Sequence, residues 1–216
     1  MRARSSFSLS TFTALVALAC TSCDAASHTE SDGGGTRDSG ARDSGSNAGD
    51  SGTSDASIPN APSAAALLAK VAACSGTSVK SGFGLDGAGT IAMYACGSAV
   101  YWSADMDVDC DGIQTPPCDT DPTGQPQTSI VDAAPNGDVD PTLLPYFVIP
   151  LGTPETAWYT SHGIELGQVG AVIYNGQVRY GIFADEAGGW FIGEASYAMC
   201  QLFLGPPTPA GDPCSP

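Results

Sequence analysis

The sequence predicts a mainly β fold, in which short strands and turns form most of the domain and one firm helix lies near the C-terminus. The 216 residues include 27 Gly and 16 Pro, which are unfavourable inside helices and typical of turns. Asn175-Gly176 lies between two apolar runs and is the strongest short signal for a hairpin. A clear helical spacing of apolar residues appears only after residue 194.

The N-terminal residues have the pattern of an export signal. Two arginines precede an apolar run at residues 12–19, which ends in small residues and is too short to span a bilayer. We predict a signal peptide over residues 1–22 and a secreted or extracytoplasmic protein. The small residues before Cys20 resemble a bacterial lipobox, so a lipid anchor on Cys20 or Cys23 in a bacterial membrane and plain secretion both stay open.

Residues 23–60 are predicted to be a disordered tether. They are rich in Gly, Ser and Asp and contain no aromatic residue. Such a segment cannot bury enough apolar surface to offset the entropy lost on ordering. The folded domain is therefore expected over residues 61–216.

Apolar runs and the turn residues between them predict the elements of this domain. A short helix is expected over residues 63–73. The strands are expected at residues 90–95, 99–104, 143–149, 169–174 and 177–183, with a shorter one at 190–193. Residues 96–98 and Asn175-Gly176 are expected to close two hairpins, the second because a type I′ turn needs positive φ at both central positions.

An amphipathic helix is predicted after the last strand. Its apolar residues recur with the spacing i, i+3, i+4, i+7 and i+8, and Gly205 with Pro206 ends it. The apolar stripe consists of Ala195, Ala198, Met199, Leu202 and Phe203. Glu194 is therefore expected at the start of this helix.

The charge of residues 61–216 is strongly negative. Sixteen acidic residues stand against Lys70, Lys80 and Arg179, which leaves a formal charge of −13. Such a domain repels phosphate backbones, which argues against nucleic-acid binding. It would attract a polycation, although acidity for solubility is an equally common cause.

The cysteines of the folded part predict disulfides. Six cysteines in an exported domain can form three bridges, with 15 connectivities. A zinc site is disfavoured because these residues contain no C-x-x-C pair and one histidine. We predict that Cys110 pairs with Cys118 around a turn-rich loop. The other bridges would come from Cys74, Cys96, Cys200 and Cys214, whose pairing is left open.

An alternating run of acids at residues 105–111 is the most unusual motif. On a strand, the alternation would place Asp105, Asp107, Asp109 and Asp111 on one face. Four like charges on one face repel one another. Three interpretations stay open: a cluster that faces the substrate, a calcium site, or an acidic strand that is exposed to solvent. The calcium interpretation fits the start of an EF-hand loop, but Cys118 stands where the last ligand would be.

Two other motifs do not support a function. The glycines at residues 82, 84 and 87 match G-x-G-x-x-G without the strand, helix and acid that a dinucleotide site needs. Ser161 and His162 lack the nucleophile-elbow motif and any further histidine for a triad. We interpret the glycine motif as a turn and Ser161 with His162 as surface residues.

Asp185 and Glu194 are a candidate catalytic pair. Asp185 follows a predicted strand and Glu194 follows the next, so two adjacent antiparallel strands would bring them near each other. Two carboxyls on opposite sides of a cleft are what glycoside hydrolysis requires. Acids at strand ends are common, however, and the pair alone is weak evidence.

Four ordered motifs resemble glycoside hydrolase family 75, the fungal-type chitosanases. The resemblance runs from about residue 90 to residue 204. The motifs are A-D-M-D-V-D-C-D-G at 104–112, D-P-T-L-L-P-Y-F-V-I-P at 140–150, V-I-Y-N-G-Q-V-R-Y-G-I-F-A-D at 172–185 and I-G-E-A-S-Y-A at 192–198. The family's two essential carboxylates match Asp185 and Glu194.

The resemblance implies an endo-acting, inverting hydrolysis of β-1,4 bonds between glucosamine units of chitosan, without a cofactor or metal. Glu194 is expected to be the general acid and Asp185 the general base. The reverse assignment, or Asp105 or Asp107 as the base, is the alternative. The expected substrate-binding residues are Asp105, Asp107, Asp109 and Tyr101.

The last strands and helix also resemble the end of double-psi β-barrels. By this fold-level analogy, a small six-stranded barrel with a C-terminal helix is expected. The protein is expected to be a monomer. The rival hypothesis is a non-catalytic cell-surface module that binds a polycationic polysaccharide through the same acidic face.

Overall fold

The computed structural model describes residues 12–16, 61–85, 89–132, 137–189 and 191–205, and for residues 12–16 it describes the backbone. The chain divides into two compact units, of which the second, Cys20–Ala61, lies outside these ranges except for Ala61. The predicted tether and both candidate lipidation sites therefore lie outside the described residues. No helix in the described ranges is long and apolar enough to cross a membrane.

Nine strands and two α-helices within the described residues confirm the mainly β prediction. The helices are α1 Ala64–Ala73 and α2 Tyr197–Leu204. The strands are β1 Phe12–Val16, β2 Thr77–Gly84, β3 Thr90–Cys96, β4 Ala99–Ala104, β5 Asp107–Asp109, β6 Tyr146–Pro150, β7 Val169–Tyr174, β8 Gln177–Ala187 and β9 Glu194–Ser196. The bounds of β3, β4 and β7 agree with the predicted ones to within one residue, and β8 extends four residues further. The sequence did not predict β1, β2 and β9 as strands.

The strands form one sheet in the order β2-β3-β4-β1-β7-β8-β6-β9-β5. Within the described ranges the sheet is not closed, since no ladder joins β2 to β5. An isolated bridge between Gly84 and Phe191 connects the end of β2 to the segment before β9. The expected six-stranded barrel is therefore not confirmed.

Strand β1 pairs antiparallel with both β4 and β7. Its residues belong to the predicted signal peptide, whose removal would take this shared partner from the middle of the sheet. The signal peptide itself stays a prediction.

Both predicted hairpins are confirmed. Asn175 and Gly176 have φ of 47° and 76°, so both central positions of the turn between β7 and β8 are left-handed. Tyr174 and Gln177 are the last register pair before that turn. The turn between β3 and β4 contains Gly97, with φ of 63°.

Helix α1 confirms the predicted N-terminal helix. The Oγ of Ser63 accepts a hydrogen bond from the backbone N–H of Ala66 at 3.2 Å and caps the first turn. Leu67 is 6% exposed and packs in a cluster with Ile173 of β7. The apolar face of this helix therefore covers one side of the sheet.

Helix α2 begins later than predicted, and the expectation that Glu194 starts it is wrong. Residues 194–196 form β9 because their backbones pair with β5 and β6. Ser196 caps α2, since its Oγ accepts from the N–H of Met199 at 3.2 Å. The same Oγ accepts from the N–H of Tyr146 at 3.0 Å, which ties the helix start to β6.

The buried face of α2 also differs from the predicted stripe. The buried residues are Tyr197, Ala198, Met199 and Cys200, whereas Leu202 is 43% exposed. Gly205 ends the helix as predicted, with its N–H donating to the carbonyl oxygen of Gln201 at 3.1 Å.

Two predicted strands need correction. Within the predicted strand at 190–193, only Phe191 makes a bridge, and residues 192 and 193 are not strand. The predicted strand at 143–149 begins instead at Tyr146, because a turn occupies the residues before it. The carbonyl oxygen of Asp140 accepts from the N–H groups of Leu143 and Leu144 at 3.1 and 2.9 Å.

Disulfides link several of these elements. Cys110 pairs with Cys118, which confirms the prediction. Cys74, just after α1, pairs with Cys96 at the end of β3. Cys200 in α2 is also disulfide-bonded, and Cys214 lies outside the described residues.

Candidate active site

A cleft of about 460 Å³ opens beside strands β5, β8 and β9. Seven carboxylates line it, and no Lys, Arg or His is among its described lining residues. The acids are Asp107, Asp109, Asp111, Asp121, Asp185, Glu186 and Glu194. The cleft therefore carries a concentrated negative charge, which favours cationic ligands.

The alternating acids place three carboxylates in this cleft. In and around β5, Val108 is 5% exposed and Cys110 is 1% exposed, so the apolar residues form one buried face. Asp107, Asp109 and Asp111 alternate with them and are partly exposed in the cleft. The prediction that this motif lines one face holds for these three residues.

Asp185 and Glu194 lie on strands that are separated by β6. In the ladders, Asp185 pairs with Val148, and Phe147 pairs with Ala195 in the antiparallel sense. Asp185, Val148 and Glu194 therefore lie in one row across the sheet, and all three line the cleft. The expectation that the pair would lie on adjacent antiparallel strands is wrong, because β6 lies between them.

This row sets the scale of the separation between the two carboxylates. Neighbouring strands lie about 4.8 Å apart, so the backbones of β8 and β9 are roughly 9–10 Å apart. Inverting glycosidases hold their two carboxyls about 6.5–9.5 Å apart, with a water in the gap. The row is thus compatible with an inverting pair.

Asp107 extends the row beyond Glu194. The two residues are register partners in the parallel ladder of β5 and β9. Both line the cleft, so a second negative group stands beside Glu194. The row therefore carries three acids of the cleft wall, Asp185, Glu194 and Asp107.

Ser129 fixes the carboxylate of Asp185. Its N–H and its Oγ donate to Oδ1 of Asp185 at 2.7 and 2.6 Å. The same Oγ accepts from the N–H of Glu186 at 3.1 Å, so the hydroxyl is held on both sides. Asp185 is 7% exposed, and its orientation is set by these contacts.

Asp111 lies directly beside Asp185 and holds a proton near neutral pH. Burial raises the pKa of Asp111 to about 7, with the charge and hydrogen bonding of Asp185 adding to the rise. The N–H of Gln125 donates to Oδ1 of Asp111 at 2.6 Å and acts in the opposite direction. At mildly acidic pH, Asp111 is therefore a neutral neighbour of Asp185.

Asp109 completes a compact trio with these two acids. Burial raises its pKa well above the usual range, and the charges of Asp111 and Asp185 add to the rise. Its Oδ1 accepts from the N–H of Asp111 at 2.8 Å. Asp109 and Asp111 therefore hold protons that ordinary aspartates would have lost at the same pH.

The same trio is the group that could hold a metal ion. Carboxylate oxygens of Asp109, Asp111 and Asp185 all lie within 4.8 Å of one another. The EF-hand alternative is a different set, and it is not supported. Cys118, at its last ligand position, is buried and disulfide-bonded to Cys110.

Two tyrosines support the floor and the rim of the cleft. The hydroxyl of Tyr146 donates to the carbonyl oxygen of Asp111 at 2.9 Å, and burial raises its pKa so that it stays a donor. The hydroxyl of Tyr159 donates to Oε1 of Glu186, and burial again raises the tyrosine pKa. Both hydrogen bonds orient groups of the acidic wall.

The structure places two predicted binding residues away from the cleft lining. Asp105 precedes β5 and lies against Gly193, where an added Cβ would come within 2.5 Å of the Asp105 carbonyl oxygen. Tyr101 in β4 stacks on Tyr94, with ring centroids 5.5 Å apart, and packs in the cluster that includes Leu67 of α1. Neither residue is among those that line the acidic cleft.

Several cleft residues were not proposed as site residues from the sequence. Asp111 belongs to the alternating motif, so its signal was present. Asp121 and Glu186 had no distinctive spacing. Ser129 is 56 residues from Asp185 and only the fold brings the two together.

Removal of the Cys110–Cys118 bridge should cause a large loss of activity and a moderate loss of stability. Cys110 stands between Asp109 and Asp111 in the chain, so its disulfide restrains the backbone of both acids. In the loop-entropy model, its closed loop contributes about 2–3 kcal/mol to the free energy of unfolding. The Cys110→Ser/Cys118→Ser variant is expected to fold and to lose at least about tenfold of the glycoside hydrolase rate that the resemblance implies, measured by sugar release, because Asp111 lies beside Asp185 and its displacement would misplace that carboxylate.

The matched control is Cys74→Ser/Cys96→Ser. This bridge closes a longer loop, with a sequence separation of 22 against 8, and neither cysteine lines the cleft. Its loss should cost more stability, about 3–4 kcal/mol, and less activity. Equal activity losses in the two folded variants would show that the first bridge has no special role.

Comparisons with known proteins find one family and several relatives that are similar to this chain. The model of the fungal chitosanases of glycosyl hydrolase group 75 matches residues 106–213, which include Asp185 and Glu194. Endo-chitosanase B of Aspergillus oryzae is 37% identical over 118 residues, covering 50% of this chain and 47% of that protein. Endo-chitosanase of Aspergillus fumigatus is 36% identical over 108 residues, covering 45% and 43%. The chain thus spans about half the length of the relatives it matches, and no solved structure matches it.

Proposed function

Since the chain belongs to glycoside hydrolase family 75, we propose that it is an endo-chitosanase, which hydrolyses internal β-1,4 bonds between glucosamine units of chitosan. The observation that carries this proposal is the cleft with seven carboxylates and no cation among its described lining residues. Chitosan carries an ammonium group on each deacetylated sugar, so its charge complements this cleft. Neutral polysaccharides lack that attraction.

The proposed reaction inverts the anomeric carbon in one step. Asp185 accepts a proton from a water molecule as the water oxygen attacks C1 of the sugar. Glu194 donates its proton to the glycosidic oxygen as the C1–O bond breaks. The positions of the two residues on strands that flank β6 support this arrangement.

The surroundings of each carboxyl support the assignment of roles. Asp185 accepts two hydrogen bonds from Ser129, which orient a carboxylate that must take a proton from water. Glu194 and its register partner Asp107 both line the cleft, so a second acid stands beside the proposed proton donor. Because Glu194 lies in β9 and not at the start of α2, the helix dipole does not oppose this role.

Asp107 and Asp109 are proposed to contact bound sugars through hydrogen bonds to their ammonium and hydroxyl groups. Both line the cleft on the side of β5, next to Glu194. Asp105 and Tyr101 are not included, because they lie outside the cleft lining.

Sugar release from soluble chitosan tests the proposal. Purified protein should release new reducing ends, and the viscosity should fall early because cleavage is internal. Proton NMR of the first product should show the α-anomer. Binding of chitosan without any release would instead favour the non-catalytic polysaccharide-binding module.

Salt should weaken the reaction with chitosan. Exposed charges are screened beyond about 10 Å at 0.1 M salt, so KM should rise severalfold as salt increases while kcat changes less. The measurement is initial rate against chitosan concentration at several salt concentrations. Cellulose should be a poor substrate. Equal turnover of cellulose, or a KM that salt does not change, would contradict the charge argument.

Export is proposed from the N-terminal sequence, with a lipid anchor at Cys20 or Cys23 as one form of it. Mass spectrometry of the mature protein should find an N-terminal diacylglyceryl cysteine if the anchor exists. An unmodified protein that starts at another residue would remove the anchor from the proposal.

A further inference from the structure

Phe191 is an exposed aromatic side chain on the wall of the acidic cleft. Six large apolar side chains are exposed among the described residues: Leu68, Ile113, Leu143, Val169, Phe191 and Leu202. Phe191 is 59% exposed, is the only aromatic residue of the six, and is the only one that lines the cleft. Its ring is therefore an exposed apolar surface among the carboxylates that line the described part of the cleft.

The backbone at Phe191 and in the two residues after it is held by contacts with the rest of the fold. Phe191 forms a bridge with Gly84 of β2. Ile192 is 2% exposed and belongs to the main core cluster. Gly193 has φ of 114° and packs closely on the carbonyl oxygen of Asp105. The exposure of Phe191 is therefore a consequence of how the fold directs this segment.

We propose that Phe191 is a sugar-binding platform that stacks on a glucosamine ring next to the cleaved bond. Phe191 precedes Glu194 by three residues, and both line the same cleft. The C–H groups on one face of a pyranose form an apolar surface that matches an aromatic ring. The carboxylates of the cleft can bind the ammonium and hydroxyl groups but cannot cover this face.

The platform adds a contact that differs in kind from the charge attraction. Stacking on an apolar face depends little on salt, whereas the attraction between exposed charges is screened. An ammonium group near the ring would add a weak cation–π contact. The inference rests on the proposed function, since it assigns a sugar to this position.

The test measures the affinity for a fully deacetylated chitosan hexamer by calorimetry, in the Glu194→Gln background so that no cleavage occurs. Phe191→Ala should weaken binding about tenfold, as expected for loss of an aromatic contact. Phe191→Tyr should bind within about twofold of the parent, because the ring is kept. Leu143→Ala is the control, since Leu143 is 78% exposed outside the cleft lining and should have no effect.

The salt dependence of binding distinguishes the aromatic contact from the attraction to the carboxylates. The affinity ratio between the parent and Phe191→Ala should be the same at about 0.05 M and about 0.3 M NaCl. In the active enzyme, Phe191→Ala should raise KM with little change in kcat.

Unchanged binding by Phe191→Ala, or a loss that disappears at the higher salt, would overturn the platform while wild-type cleavage of chitosan still supported the proposed function. If the wild type neither binds nor cleaves the hexamer, the proposed function and the platform both fail.

Discussion

Asp185→Asn and Glu194→Gln should each reduce chitosan hydrolysis roughly a thousandfold or more, because each removes one of the two proton transfers. The amide side chains are close in size to the acids, so the fold should be kept. Glu165→Gln is the control, since this acid is exposed outside the cleft lining and its change should leave the rate unaltered. The measurement is the rate of reducing-end release by folded, purified variants.

Azide distinguishes the two roles. When the general base is lost, a small anion can enter the water site and attack C1 from the same side. Asp185→Ala, which leaves room for the anion, should therefore recover part of its turnover with azide and form an α-glycosyl azide, since the bond to C1 is inverted once. Glu194→Gln should not recover, because azide cannot protonate the leaving oxygen. Recovery of the Glu194 variant alone would reverse the assignment, and near-normal activity of both variants would remove the pair from the mechanism.

Replacement of Asp111 by Asn should change how stability depends on pH. The pKa of Asp111 is about 7 in the folded protein and 3.8 as the reference value, so between these values the folded state holds a proton that the unfolded state has lost. Stability should therefore fall as pH rises from about 4 to about 7. Asp109, whose pKa is also raised by burial, acts in the same direction.

Asn resembles the protonated acid and cannot ionise beside Asp185. Asp111→Asn should match the wild type in melting temperature near pH 4 and exceed it by several degrees near pH 8, since 1 kcal/mol corresponds to about 2–4 °C in a domain of this size. Asp119→Asn is the control, because Asp119 is exposed outside the cleft lining. Measurements in EDTA keep any bound cation out of the comparison. A wild-type melting temperature that is constant from pH 4 to 8 would contradict the buried-proton interpretation.

Local signals in the sequence predicted the local elements well. Asn175-Gly176 predicted the hairpin of β7 and β8, because few residue pairs accept positive φ twice. The alternation around Val108 predicted which residues face away from the core at β5. The Cys110–Cys118 bridge followed from its short, turn-rich loop.

The sequence did not reveal features that depend on which elements pair or pack together. Residues 194–196 follow the spacing of a helix, yet they form β9, because β5 and β6 offer backbone partners that the sequence around Glu194 does not reveal. Tyr101 is an aromatic residue on a predicted strand, and only the packing of α1 shows that it faces the helix side.

The sequence by itself determined the acidic character of the domain, its mainly β class and the two carboxylates that match the family motifs. These properties depend on residue types and on neighbours within a few positions. Tertiary structure alone decided that Asp185 and Glu194 lie in one row on either side of β6, that Ser129 orients Asp185, and that Asp111 and Asp109 lie against it. Those contacts join residues up to 76 positions apart, as from Asp109 to Asp185, and they arise from strand order and burial. A protonation state set by burial can be assigned only after the buried neighbours are known.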